Sequence, residues 1–237
     1  MGSQALVLLQ DIVVETGSTA EPTTITSTDE AIKQHLRILN AAWRQLVRLH
    51  PWQALQRTAT IVTTAAQTYT LPTDFGRIIN QTIWDRSNRW PLVGPKTPQE
   101  WEWLTSGWLG AAGWPQFRYR IRAGRLELDR VPTAGLSLVF EYISKNWVLN
   151  ANGVDTYEKF INDSDTAYLD DRLLILAGAL KWKGAKGFTD PMLEHEFRLQ
   201  FDAVRSQDAG APVLSISPPR GDYYLITGDN APDGNWG

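Results

Sequence analysis

The 237-residue chain is 43% hydrophobic and 21% charged with a net charge of -3, the composition of a soluble globular protein long enough for one large domain or two small ones. No bulk positive charge is available to hold nucleic acid, and without cysteine there are no disulfides, thiolate metal sites or thiol nucleophiles. The first apolar run, ALVLLQDIVV, lacks a basic leader and a cleavage site and is too short to span a bilayer, so neither targeting nor membrane insertion is expected.

Residues 4 to 16 read as a short helix stopped by Gly17, and STAEPTTITST reads as a linker without an apolar period. A stronger helix follows. Ser27 and Glu30 have capping-box spacing, and Ile32, Leu36, Leu39, Trp43, Leu46 and Val47 recur at helical intervals until His50-Pro51. The same helix carries Lys33, Arg37, Arg44 and Arg48 as a basic stripe, either an ordinary solvated face or a contact for an acidic partner or passing DNA.

From Arg57 the period changes. TATIVTT, QTYTLP, RIINQTIWD and RWPLV are short β-branched or aromatic segments between turn residues, as in an antiparallel unit. In PQFRYRIRAGRLELDRVP a two-residue Ala123-Gly124 turn would set Ile121 against Leu126, Tyr119 against Leu128, Arg120 against Glu127 and Arg118 against Asp129. Most of the arginines are then answered within the hairpin, though Arg122 would meet Arg125. LSLVFEYI completes the β unit.

Within WPLVGPKTPQEWEWLTSGW, residues 90 to 108, Thr97, Pro98 and Glu100 are placed as N-cap, first-turn proline and capping-box acid. Trp101, Leu104 and Trp108 share a face expected to pack on the β unit, as is Trp90 from its strand; Trp103 points away and is the candidate contact with a neighbouring subunit or partner.

A helix from about Thr166 to Lys183 is expected to open on Asp163 or Asp165 and to bury Leu169, Leu173, Leu176, Ala177 and Leu180. After GAKG, Thr189 or Asp190 caps a second helix with Pro191 in its first turn and Leu193, Phe197, Phe201 and Val204 along one side, forming a helical hairpin against the helix at 28 to 50. Beyond Gln207 the chain is dense in Gly, Pro and Asp with two apolar knots, Val213, Leu214 and Ile216, then Tyr223, Tyr224, Leu225 and Ile226. Such a tail is disordered or is an arm that orders on a partner.

The chemistry-bearing motifs are sparse. His35, His50 and His195 lie on two distant helices without metal-ligand spacing, and GAAGW and GAKG lack the strand and helix context of a phosphate loop. The acids Asp163, Asp165, Asp170 and Asp171 could hold a divalent ion or serve a helix start, and no nucleophilic serine context stands out. No metal, cofactor or catalytic residue is therefore expected.

In order along the chain, LNAAWRQL, HPWQALQRTATI, TYTLPTDFGRII, WPQFRYRIRAGRLELDRVPTAG, LVFEYISKNWV and DSDTAYLDDRLLILAGALKWKGAKG resemble the head-to-tail connector adaptor proteins of tailed bacteriophages over about residues 25 to 217. Their β unit is entered through a Tyr-x-Leu-Pro-x-Asp-Phe segment, here Tyr69 to Phe75.

The resemblance implies an α+β fold: a helical bundle of three to four helices with an inserted antiparallel β domain and an extended C-terminal arm. On that division residues 1–56 are the N-terminal helical part, 57–150 the β domain, 151–208 the helical hairpin and 209–237 the arm. It also implies a homo-oligomeric ring, commonly of twelve copies, at the head-tail interface of the virion, assembled in the host cytoplasm. Its partners would be the portal and the tail, stopper or nozzle proteins, with double-stranded DNA passing through without sequence specificity. A tryptophan-rich carbohydrate-binding module and a single-strand-binding protein are the alternatives; neither explains the capped helices flanking the β unit.

Overall fold

The computed structural model describes residues 2–19, 22–106, 116–153 and 156–208. Among these residues five α-helices and eleven strands run in the order α1 (Ala5–Thr16), α2 (Glu30–Leu49), β1 (Gln56–Val62), β2 (Thr68–Thr70), β3 (Phe75–Ile78), β4 (Trp84–Asp85), β5 (Trp90–Pro91), α3 (Pro98–Thr105), β6 (Tyr119–Arg122), β7 (Arg125–Leu128), β8 (Ser137–Ser144), β9 (Val148–Leu149), β10 (Thr156–Tyr157), β11 (Thr166–Ala167), α4 (Asp171–Ala185) and α5 (Pro191–Asp208). This is the mixed α+β class read from the sequence, with antiparallel sheets.

Two large hydrophobic clusters organise it, and a small third one of Leu176, Ala179 and Leu193 joins α4 to α5. The first joins α1, α2 and α4 through Leu8, Ile12, Leu39, Trp43, Leu46, Leu173 and Leu174, and α5 lies against it through Phe197, Phe201 and Val204. Residues Leu173 to Ala179 of α4 are all buried, because α4 packs against α1, α2 and α5. Gly178 makes that crowding possible: a Cβ there would meet Leu39 Cδ2 at 2.3 Å and Ile12 Cδ1 at 3.1 Å. Trp43, Trp147 and Phe160 pack edge to face at 4.4 to 5.0 Å, each pair contributing about 0.5–1.5 kcal/mol beyond the area buried.

The second cluster fills the β unit. β8 pairs antiparallel with all of β1 along one edge and with β4 and β3 in succession along the other. A separate sheet, β2-β7-β6, contributes Tyr69, Leu126, Leu128 and Tyr119 to the same core as Leu138, Phe140 and Tyr142 of β8. The hairpin register is the one expected, closed by Ala123 at φ 49° and Gly124 at φ 71°, the doubly positive turn that matches strand twist.

Several boundaries differ from the sequence expectation. The N-cap of α2 is Asp29, whose carboxylate accepts from the Ala31 N–H at 2.8 Å, and Ser27 Oγ instead accepts from the Asp29 N–H. A charged acceptor adjacent to the first turn displaces the hydroxyl two residues earlier. The 22–28 stretch has no period, yet it is anchored: Ile25 is buried, and Asp163 accepts from the Ile25 N–H and the Thr24 hydroxyl.

Asp163 and Asp165 do not open a helix. Their carbonyls receive the Leu6 and Ala5 N–H groups, so the start of α1 is satisfied by backbone, and the fully buried Asp165 carboxylate accepts from the Ile161 and Asn162 N–H groups. Thr166 and Ala167 are consequently a strand, and α4 begins at Asp171 behind an Asp170 cap. Leu169 is buried ahead of the helix. Asp190, rather than Thr189, caps α5 through the Leu193 N–H.

Among the described residues the buried Tyr119 hydroxyl has no hydrogen-bond partner, and burial pushes its pKa from 10.0 up to about 12. The folded state holds this proton more tightly than the unfolded chain. Ionisation of this group therefore costs the folded state nothing below pH 10 and removes stability as pH rises from 10 through 12. Tyr119→Phe is expected to raise the stability measured by urea unfolding at neutral pH by about 1 kcal/mol, since an unsatisfied buried hydroxyl is removed, and to flatten the alkaline loss. A lower urea midpoint with an unchanged alkaline limb would contradict that reading.

Candidate interaction surfaces

The α3 helix has the full capping box: Thr97 Oγ1 accepts from the Glu100 N–H at 3.3 Å, and Glu100 accepts from the Thr97 N–H at 2.8 Å. The Thr97 backbone, then its hydroxyl, hold the Glu100 carboxyl below the usual carboxylate range. One turn on, Trp101 is buried with the Arg120 guanidinium 4.4 Å from its ring centroid, while Trp103 is 56% exposed. Leu104 is half-buried, and Trp108 lies outside the described residues. Trp90 is not packed as expected: among the described residues β5 pairs only with β4, at the edge of its sheet, and the indole is 43% exposed.

The remaining indoles dissolve the idea of a stacking platform. Trp43, Trp52 and Trp147 are fully buried; Trp43 and Trp52 donate to the carbonyls of Leu174 and Leu46. Among the described tryptophans only Trp90 and Trp103 are exposed. The hairpin arginines are likewise engaged. Arg120 pairs with Glu127, the Arg118 backbone N–H donates to the Asp129 carboxylate, and Arg130 lies near Asp129 and over Phe117. Arg122 and Arg125 face each other at the exposed turn.

The basic stripe of α2 divides in two. Lys33 pairs with Glu30 at 2.9 Å, and this bond, with a smaller contribution from Arg37, holds the Glu30 carboxyl below its ordinary value. About three and four turns further along, Arg44 and Arg48 line a cavity of about 540 Å³ between α2 and the ends of β3 and β8, together with Arg77, Lys145 and Trp147. The sequence had no signal for Arg77 joining them. A bulge between Phe75 and Arg77 brings β3 so close to β8 that a Cβ on Gly76 would sit 2.7 Å from the Ile143 carbonyl oxygen.

A further surface escaped the sequence reading. Phe188, Met192 and Leu199 are 63%, 78% and 59% exposed on and just before α5, and Val14 of α1 is 79% exposed. Met192 and Leu199 are seven residues apart and so share a helix face; the signal was present but was read only for the opposite stripe of Leu193 and Phe197. Arg172 links these helices, pairing with Glu15 of α1 and Glu196 of α5; the Glu196 hydrogen bond, then that of Glu15, raise the Arg172 pKa.

The acidic run holds no clustered site. Asp163 and Asp165 bind backbone and threonine groups, Asp170 caps α4, and Asp171 accepts from the Ser3 N–H and hydroxyl. His35 stacks on Trp182, and His50 Nε2 lies 3.1 Å from Asp208. Among the described residues no group of three His, Cys, Asp or Glu could hold a metal ion, and no helix is long and apolar enough to cross a membrane. The arm candidates Val213, Leu214, Ile216, Tyr223, Tyr224, Leu225 and Ile226 lie outside the described residues.

No curated protein matches the chain. Its residues 5–215, which include both large hydrophobic clusters and every element described above, match the family described as SU10 adaptor protein. The chain therefore belongs to the SU10 adaptor protein family, a family of structural head-to-tail adaptors of phages.

Proposed function

We propose that the protein is a non-enzymatic ring subunit that sits below the portal, joins head to tail and surrounds the path of the DNA. Family membership across residues 5–215 carries this reading. The surfaces described above support it physically: a rigid two-core body exposes large apolar side chains at several places, as a subunit needs for lateral and axial contacts. On this reading Trp103, Met192 and Leu199 face neighbouring copies or partners, and the 209–237 segment reaches a neighbour or the portal. The body divides functionally at about 57 and 150, the β unit being inserted between helical parts.

Duplex DNA would be held weakly, since strong phosphate neutralisation would stall its passage, and a chain of net charge -3 suits such a channel. Twelve copies, the number implied by the resemblance, would close the ring. Lys33 and Arg37 then offer a few dispersed cations to a passing polyanion or an acidic neighbour.

Negative-stain imaging of the purified protein, alone and mixed with its portal, is expected to show closed rings that dock on the portal; monomers that never do either would sink the proposal. Trp103→Ala is expected to leave thermal unfolding within about 0.5 kcal/mol of the parent, because the ring is exposed, and to weaken ring formation tenfold or more if it anchors the interface. Sedimentation across a concentration series reads both the mass and the midpoint. Deleting residues 209–237 is expected to preserve cooperative unfolding and reduce portal docking, and undiminished docking would remove the arm from the assembly.

A further inference from the structure

The cavity between α2 and the β unit brings three arginines and a lysine together over an apolar floor that includes Val47, Phe75 and Ile143. Arg44, Arg48 and Arg77 are exposed and, among the described residues, have no ion-pair or hydrogen-bond partner. Lys145 is paired with Glu158 at 2.7 Å, so one carboxylate faces four cations. Trp147 also lines the cavity. A recess with surplus guanidinium charge is complementary to carboxylates on a chain that can enter it. A duplex presents its phosphates on a broad convex surface, which suits an open groove better than this recess.

One such chain is in the protein itself. Residues 222–237 contain Asp222, Asp229 and Asp233 and no lysine or arginine, with Tyr223, Tyr224 and Trp236 among them, and aromatic rings stack on guanidinium planes. We propose that the cavity receives the acidic 222–237 segment of a second copy. The second copy is favoured by the position of α5. Ala42, Leu46 and Leu49 of α2 lie beside Phe197 of α5, whereas Arg44, Val47 and Arg48 are on roughly the opposite side of α2. Asp208, where the described part of α5 ends, is tied to the His50 ring and the Gln53 N–H at the C-terminal end of α2.

The inference rests on the ring reading for the presence of a neighbouring copy. Its test uses the full chain and a dye-labelled synthetic peptide of residues 222–237, followed by fluorescence anisotropy. Saturable binding is expected, weakened at least tenfold by Arg44→Glu with Arg77→Glu, weakened by salt, and weakened equally by replacing the three aspartates of the peptide with asparagine. A peptide with the three aspartates changed to lysine is expected to bind the Glu variant and not the parent, which excludes misfolding as the cause of the loss.

No binding, or binding insensitive to both sets of charges, overturns the proposal. So does a short duplex that binds in place of the peptide and is lost with the same arginines. Binding to the monomeric chain, at a dilution where no assembly forms, seen only after its own Asp222, Asp229 and Asp233 are changed to asparagine means that its own segment fills the cavity, and the second-copy assignment falls. Rings that form on the portal while the peptide fails to bind remove the cavity assignment alone; peptide binding without rings removes the ring reading alone.

Discussion

The constraint on which the rest of the molecule depends is the path of β8. Leu138, Phe140 and Tyr142 lie in the β core, whereas Ile143 and the following Trp147 and Val148 belong to the helical core. Strand alternation alone would send Tyr142 and Ile143 to opposite faces, and the structure uses that alternation to give each core one of the two. Both edges of β8 are occupied, so it cannot slip by a residue without exchanging the two sets of side chains. The Tyr-x-Leu-Pro-x-Asp-Phe segment secures the same place: Asp74 accepts from the hydroxyls of Tyr142 and Ser144, and its carbonyl receives the Lys145 N–H. A motif that reads as an entry to the β unit is a clamp on the end of its central strand.

Polar anchoring does similar work at the other end. Asp163, Asp165, Asp170 and Asp171 each meet backbone or hydroxyl donors from a different stretch: residues 24 and 25, 161 and 162, 173, and 3. Short segments without enough apolar surface to fold alone are thereby ordered against α1 and α4. Each carboxylate hydrogen-bonded to a backbone N–H contributes about 1.5–3 kcal/mol, far more than an exposed ion pair. Since so many of the charges are consumed internally, the arginines that are left without a partner carry more meaning than the total charge does.

What was legible in the sequence follows from how local its cause is. The Thr97 box, the Gly17 stop and the Ala123-Gly124 turn depend on a few adjacent residues, and all three stand as read. The hairpin register follows from the turn, so the partner of each arginine followed too. The start of α4 was misplaced because Asp163 and Asp165 have the chemistry of caps, and only their contacts with α1 and residues 24–25 show another use. Trp90 was misplaced because a strand pattern does not say which strand is at an edge. The cationic cavity was beyond reach: Arg44 and Arg48 were visible as a stripe, but their meeting with Arg77 and Lys145 requires the bulge at Gly76 and the path of β8.

That meeting point lies on the seam between the two cores. One wall of the cavity is α2, from the helical core, and the other is formed by β3 and the end of β8, from the β unit. An anionic segment seated there bridges Arg44 and Arg48 on one side to Arg77 on the other. It neutralises like charges that the fold alone brings together, and it therefore opposes separation of the two parts. The exposed faces of α3 and α5 bear on no such seam. On the proposed ring reading, contacts through Trp103, Met192 or Leu199 would set where a neighbour sits, whereas an occupant of the cavity would also tie the helical part of the chain to its β unit.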